Sequence, residues 1–216
     1  MPERQNKAEQ VYEILEEMIT FQELAPGASV SESSLMEKLG YGRTPVREAL
    51  QRLARERMVE IHPHRGVFVA PISVEAQFRL LELRRGLEEM AVRFATYRAT
   101  TAQKEAMLAL TRELDGFTGE NVRAFAELLK RSHSMIVEAA HNDYLELAMK
   151  PLQSLTRRFW FAHIPDVAEH LRIAADLHGS VLRAVAHGDE SEVVGASHRL
   201  NDYLVDLTYR ALGAPR

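Results

Sequence analysis

The chain has 216 residues, 46% hydrophobic and 27% charged, which is room for one large or two small domains with a proper core, and its formal net charge is −4. It has no cysteine, which excludes disulfides, thiolate metal sites and cysteine nucleophiles and fits a reducing cytoplasm. The opening MPERQNKAEQ is polar and no run of about 18 apolar residues occurs, so neither a signal peptide nor a membrane span is expected.

The charge is unevenly placed. From Met1 to Glu37 two basic side chains face eight acidic ones, a local balance of −6; from Lys38 to Arg65 seven face three, a balance of +4. A basic block inside an acidic protein is compatible with a nucleic-acid partner, although a solvated helix face of mixed charge gives the same count.

In chain order, Val11, Ile14, Leu15, Met18 and Ile19 fall at helical spacing and predict a helix over 8–22, ended by Leu24-Ala25-Pro26-Gly27. Ser31 is a natural N-cap for a short helix burying Leu35, Met36 and Leu39, and Gly40 is its stop. After Tyr41-Gly42 a third helix is predicted from Thr44 to Arg57, with Thr44 as cap, Pro45 at its first position and Val46, Ala49, Leu50 and Leu53 as its core stripe. Two runs of β-formers, 58–61 and 67–69, flank His62-Pro63-His64-Arg65-Gly66 and predict a hairpin. From Ser73 the pattern is helical, with helices expected at 74–97, 102–115, 121–140, 143–163, 166–187 and 189–212. Their punctuation is Ser73 and Thr101 as caps, then Asp115-Gly116 with Gly119, Asn142-Asp143, Pro165 and Gly188-Asp189. The fold class is mostly α: a winged helix-turn-helix over 1–72, three helices plus a β-hairpin wing, followed by an all-α antiparallel bundle over 73–216.

In a helix-turn-helix the N-terminal side chains of the second helix reach base edges in the major groove. That helix here opens GRTPVREAL, so Arg43, Thr44 and Arg47 crowd its leading tip. Arginine bonds guanine O6 and N7 bidentately, and Thr44 with the free amides suits a phosphate. His64 and Arg65 at the wing tip reach toward an adjacent backbone or minor groove, and Gly66 permits the tight turn.

SVSESSLMEKLGYGRTPVREALQRLARERMVEIHPHRGVFVAPIS resembles the DNA-binding domain of the GntR family, and the resemblance covers residues 10–72. It implies that Arg43, Thr44, Arg47 and the wing tip contact an operator. Where the family commonly has a charged residue this chain has Ser33, so one contact from the second helix is weakened.

Residues 73–216 resemble that family's FadR-type, or FCD, effector domain, through LLELRRGLEEMAVRFAT (80–96), SHSMIVEAAHNDYL (132–145) and HGSVLRAVAHGDESEV (178–193). Six helices suggest the branch's shorter subgroup. The resemblance implies a divalent metal, Zn or Ni, held by an Asp and three His, with His133 as the first His and His178 as the second. The Asp position is Leu129 and the third His position is Leu200; His198 lies two residues off and so points about 200° away. The site is incomplete unless water, ligand or a neighbour such as Glu127 completes it. Arg84, by its spacing to Leu80, Leu81 and Leu87, sits on the inner helix face and can pair with a ligand carboxylate or form an interhelical salt bridge. Arg157 or Arg158, beside Phe159-Trp160-Phe161, can do the same.

The expectation is therefore a cytoplasmic, homodimeric, non-enzymatic transcription regulator, a repressor by the commoner habit of such families. It would bind a palindromic double-stranded operator under control of a small molecule, either an organic acid such as a carboxylate or a more hydrophobic ligand than the metal-using relatives bind. The alternatives are a metal-dependent hydrolase built on His133 and His178, and an architectural DNA binder without effector control.

Overall fold

The computed structural model describes residues 7–118 and 121–213. They divide into two compact units, one comprising the chain up to Ser73 together with Arg157–Ala162, the other Val74–Thr156 and the chain from His163 onward. The expected break at Gly119 lies outside the described residues.

The first unit runs α1 (Lys7–Thr20), β1 (Ser29–Val30), α2 (Glu32–Leu39), α3 (Arg43–Arg55), β2 (Val59–His62) and β3 (Gly66–Val69). Helices α1 and α3 pack on each other, and each buries its apolar stripe: Val11, Leu15 and Ile19 on α1, Val46, Leu50 and Leu53 on α3. Ser31 caps α2 as expected, its hydroxyl accepting from the Ser34 amide, and Gly40 ends it in the left-handed conformation at φ 71°. The wing is three-stranded, in the antiparallel order β1-β3-β2, with Val30 opposite Val67 and His62 opposite Gly66. The β1 strand is absent from the sequence reading, because two residues carry no period and are recruited only by β3.

Two boundaries of α3 differ from expectation. Its N-cap is Gly42, in extended backbone and without a side-chain cap, so Thr44 is the second helical residue and Pro45 the third. At the other end the helix stops at Arg55; Arg57 turns left-handed at φ 62° and the Met58 amide reaches back to the Leu53 carbonyl at 2.8 Å. That is a Schellman closure with arginine in the usual glycine position.

Behind α3 lies a polar joint. Arg52 donates through Nε to Glu56 (3.1 Å) and through Nη1 to Glu9, and its guanidinium carbon stands 3.6 Å from the centre of the Tyr12 ring. The Tyr12 hydroxyl donates to Glu56 at 2.6 Å, and burial together with that carboxylate holds the phenol well above its ordinary pKa. Elsewhere in the unit Arg157 Nη2 donates to Glu16 Oε1 at 2.7 Å, Arg158 donates to the Ala70 carbonyl, and the Phe161 and Phe21 rings lie 5.0 Å apart. Burial lowers the pKa of Arg158 to about 10, which leaves it charged at neutral pH.

The second unit holds α4 (Val74–Arg98), α5 (Thr101–Asp115), α6 (Val122–Ala139), most of α7 (Asp143–His163), α8 (Val167–His187) and α9 (Glu190–Ala211). Helix α4 packs on α9 and α6, and α8 packs on α5, α6 and α9, around Leu81, Val92, Met107, Leu110, Phe125, Leu182 and Leu204. Thr100, not Thr101, caps α5, in a capping box with Gln103. Asn121, Asp166 and Asp189 cap α6, α8 and α9, and Gly188 closes α8 at φ 80°. Pro151 sits inside α7, where it cannot donate to the carbonyl four residues back.

A Cβ built on Gly40 meets nothing within 4 Å, so only the backbone conformation resists substitution there. Gly40→Ala is expected to cost about 1 kcal/mol in urea unfolding, and Gly40→Asn roughly half of that, since asparagine tolerates left-handed backbone.

Candidate nucleic-acid interface and effector site

Arg43, Thr44 and Arg47 all come out exposed at the leading end of α3. Because no side chain caps that end and Pro45 has no N–H, the amides of Arg43 and Thr44 are left for an outside acceptor such as a phosphate. Arg47 is not loose. Its Nε donates to Glu32 Oε1 at 3.2 Å, which leaves both Nη groups for the two acceptors of a guanine. Glu32, at the start of α2, thus holds the Arg47 side chain, a role that the sequence reading did not give it. Ser33 is exposed, with its oxygen 2.6 Å from that of Ser31, so it presents a hydroxyl at the start of α2.

His64, Arg65 and Gly66 form the exposed wing tip. The His62 carbonyl accepts from the Arg65 amide at 3.1 Å, Pro63 and His64 occupy the middle of the turn, and His64 has φ 63° as a type II turn requires at that place. Gly66 follows at φ 98°. Arg65, Glu60, His62, Phe68 and Pro71 line a shallow cleft of about 260 Å³ on this unit.

The basic block is less basic outward than its count. Arg52 is directed into the joint with Glu9 and Glu56, whereas Lys38, Arg43, Arg47, Arg55, Arg57 and Arg65 are exposed.

In the second unit, α4, α6 and α8 bring Arg84, His133 and His178 together. The two imidazole rings lie 4.9 Å apart, edge to face. Arg84, 1% exposed, donates through Nε to Glu88 Oε2 (2.8 Å) and through Nη2 to Glu88 Oε1 (3.2 Å), and the same Nη2 stands 3.4 Å from His133 Nε2. Its ion pair is therefore within its own helix, four residues on, and not between helices. Ser132 Oγ lies 3.4 Å from His178 Nδ1.

Arg157 does not join this group: it belongs to the first unit, with its guanidinium on Glu16. Glu127 does not complete the pair of histidines either, being 62% exposed and bonded to Lys130. His198 bonds Glu89 at 2.9 Å, away from the other two as its position implied. Leu129 and Leu200 are buried apolar residues, and among the described residues no group of three or more His, Asp or Glu side chains is arranged to hold a metal. A divalent ion wants carboxylate or imidazole donors on several sides. Two imidazoles beside a guanidinium do not fit it.

An exposed, arginine-bearing helix tip next to a hairpin wing, with a helical unit following in the chain, defines a DNA-binding transcription regulator. Residues 7–69 match the model of the gntR family of bacterial regulatory proteins, and residues 79–202 match the FCD domain. The chain belongs to the gntR family and carries an FCD domain. It is 29% identical over 167 residues to the Nta operon transcriptional regulator of Aminobacter aminovorans, spanning 77% of this chain and 78% of that protein. With the galactonate operon transcriptional repressor of Escherichia coli K12 it shares 24% identity over 208 residues, 85% of this chain and 89% of the relative. The solved structure of E. coli McbR/YncC superposes with a TM-score of 0.82 over 96% of this chain and 99% of that one at 20% identity, which speaks for the fold.

The Arg84–Glu88 pair, with side chains 2% and 8% exposed, makes a sharp prediction. Glu88→Met alone should lower stability by about 3–5 kcal/mol by stranding a buried charge, while Arg84→Met/Glu88→Met should come within about 1 kcal/mol of wild type; chemical denaturation of the single and double variants measures both.

Proposed function

We propose that this regulator is a homodimeric repressor that reads a palindromic operator with Arg43, Thr44 and Arg47, steadied by Ser33 and by the wing residues His64, Arg65 and Gly66, and that a small carboxylate bound in the bundle alters its grip. The exposed α3 tip, with two arginines and uncapped amides, carries this reading. Relatives described as operon regulators and repressors support repression. Binding of a repressor in the cytoplasm accords with the chain's lack, among its described helices, of any long and apolar enough to cross a membrane. The six helices α4 to α9 favour the shorter FCD subgroup.

Dimerisation is supported by α4, where Leu83, Met90 and Tyr97, seven residues apart and 56%, 43% and 68% exposed, share a face with the half-exposed Leu87 and Phe94. A stripe repeating every seven residues suits a matching helix of a second copy. For the effector, no hydrogen bond from Arg84 Nη1 is found among the described residues, so this nitrogen can donate to a carboxylate. The hydrolase alternative lacks support, since an enzyme of that kind needs an open metal position with a base beside it, and here a guanidinium stands beside His133.

Arg43→Ala and Arg47→Ala should each weaken binding to the selected operator by about 1–3 kcal/mol and relax base preference, with unchanged thermal stability. Fluorescence anisotropy on operators selected from a random pool measures this; full affinity in both variants would remove these arginines from the interface. A thermal-shift screen of small organic acids should find at least one that raises Tm in wild type and not in Arg84→Met/Glu88→Met.

A further inference from the structure

The family resemblance puts a divalent ion at the positions of Leu129, His133, His178 and Leu200, and here the buried Arg84 stands beside His133. We propose that the Arg84 guanidinium is the permanent cation of the bundle site and that the protein works as a metal-independent member of its family. The inference rests on reading the bundle as the effector domain, but its chemistry is separate from that reading.

Three observations converge. Two of the four ligand positions are leucines, Leu129 and Leu200, both buried. Of the two that remain, His133 has Arg84 Nη2 at 3.4 Å from its Nε2. A guanidinium has only donors, so that ring nitrogen is the acceptor and its lone pair, which a metal would need, faces an N–H. Finally, the buried carboxylate of Glu88, the natural substitute ligand, has both oxygens engaged by Arg84. Recruiting Glu88 to a divalent ion would require breaking this ion pair inside the core and leaving a cation unpaired beside another cation. Arg84 can still offer an anionic ligand the N–H bonds of its remaining nitrogen, Nη1, without inner-sphere coordination. Recognition then depends on hydrogen-bond direction and not on the exchange of metal-bound ligands. The affinity for an acid should accordingly be indifferent to chelators.

The test is metal analysis of the full-length protein purified without chelator, with thermal shifts in Zn²⁺, Ni²⁺, Mn²⁺ and EDTA. Wild type should carry far less than one metal per chain, and none of these additions should raise or lower its Tm. Leu129→Asp/Leu200→His, which restores the missing ligands but keeps Arg84, should still take up little metal. The same pair of substitutions in the Arg84→Met/Glu88→Met background should gain a metal-dependent rise in Tm. Near-stoichiometric metal in wild type, lost in His133→Ala, would overturn the proposal, and so would equal metal uptake by the two engineered variants. Should the engineered variants fail to fold, the metal content of wild type decides by itself. None of these readouts uses DNA or an effector, so failure here and failure of the regulator reading are distinguishable.

Discussion

Where α3 lies is decided by its joint to α1, and the joint is Arg52. An apolar stripe of Val46, Leu50 and Leu53 against Val11, Leu15 and Ile19 would hold the two helices together, but oily surfaces alone allow sliding and rotation. Arg52 removes that freedom, since it engages Glu9 of α1, Glu56 at the end of its own helix and the face of Tyr12 at once. Each contact is directional and charge-assisted, and part-burial spares them much of the screening that weakens surface pairs. The exposed arginines at the other end of the helix then start from a fixed axis. One residue type performs opposite tasks within nine positions: Arg43 and Arg47 face outward, and Arg52 locks the helix from behind.

How far this was legible can be followed residue by residue. The first helical stripe, the Ser31 cap, the Gly40 stop, the GRTPVREAL helix and the hairpin are all written in local period and turn chemistry, and the structure has them. The six later helices fall within a few residues of their expected ranges. What went unread needs information from elsewhere in the chain. Thr44 is a better capping side chain than Gly42, yet the backbone at Gly42 is where the chain leaves extended geometry, so the helix begins two residues earlier than a cap at Thr44 allows. The β1 strand exists because β3 offers an open edge. A count of bases between Lys38 and Arg65 cannot reveal that Arg52 turns inward.

In the bundle the legible and the illegible sit side by side. Arg84 and Glu88 stand four apart on a predicted helix, which is the spacing of an intrahelical pair, so that contact was available from sequence. That both would be buried against His133 was not, because it depends on α6 packing on α4. A buried ion pair is seldom the most stable filling for a core; matched apolar side chains usually do as well or better. Its presence beside a pair of imidazoles therefore reads as specialisation of the site and not as scaffolding. Arg157 shows the reverse lesson. Its neighbours in sequence are aromatic and suggest a pocket, but its carboxylate is Glu16, 141 positions away.

That last contact bears on how the DNA-reading unit can be handled. Six residues of α7, Arg157–Ala162, are as much part of it as α1 is. A fragment cut after Ser73 would take the Arg157 cation from Glu16, the Arg158 donor from the Ala70 carbonyl and the Phe161 ring from Phe21. The three helices and the wing, which look self-sufficient on paper, are thus a poor choice for excision. Shortening the chain for solution work calls for either retaining α7 or neutralising Glu16 first.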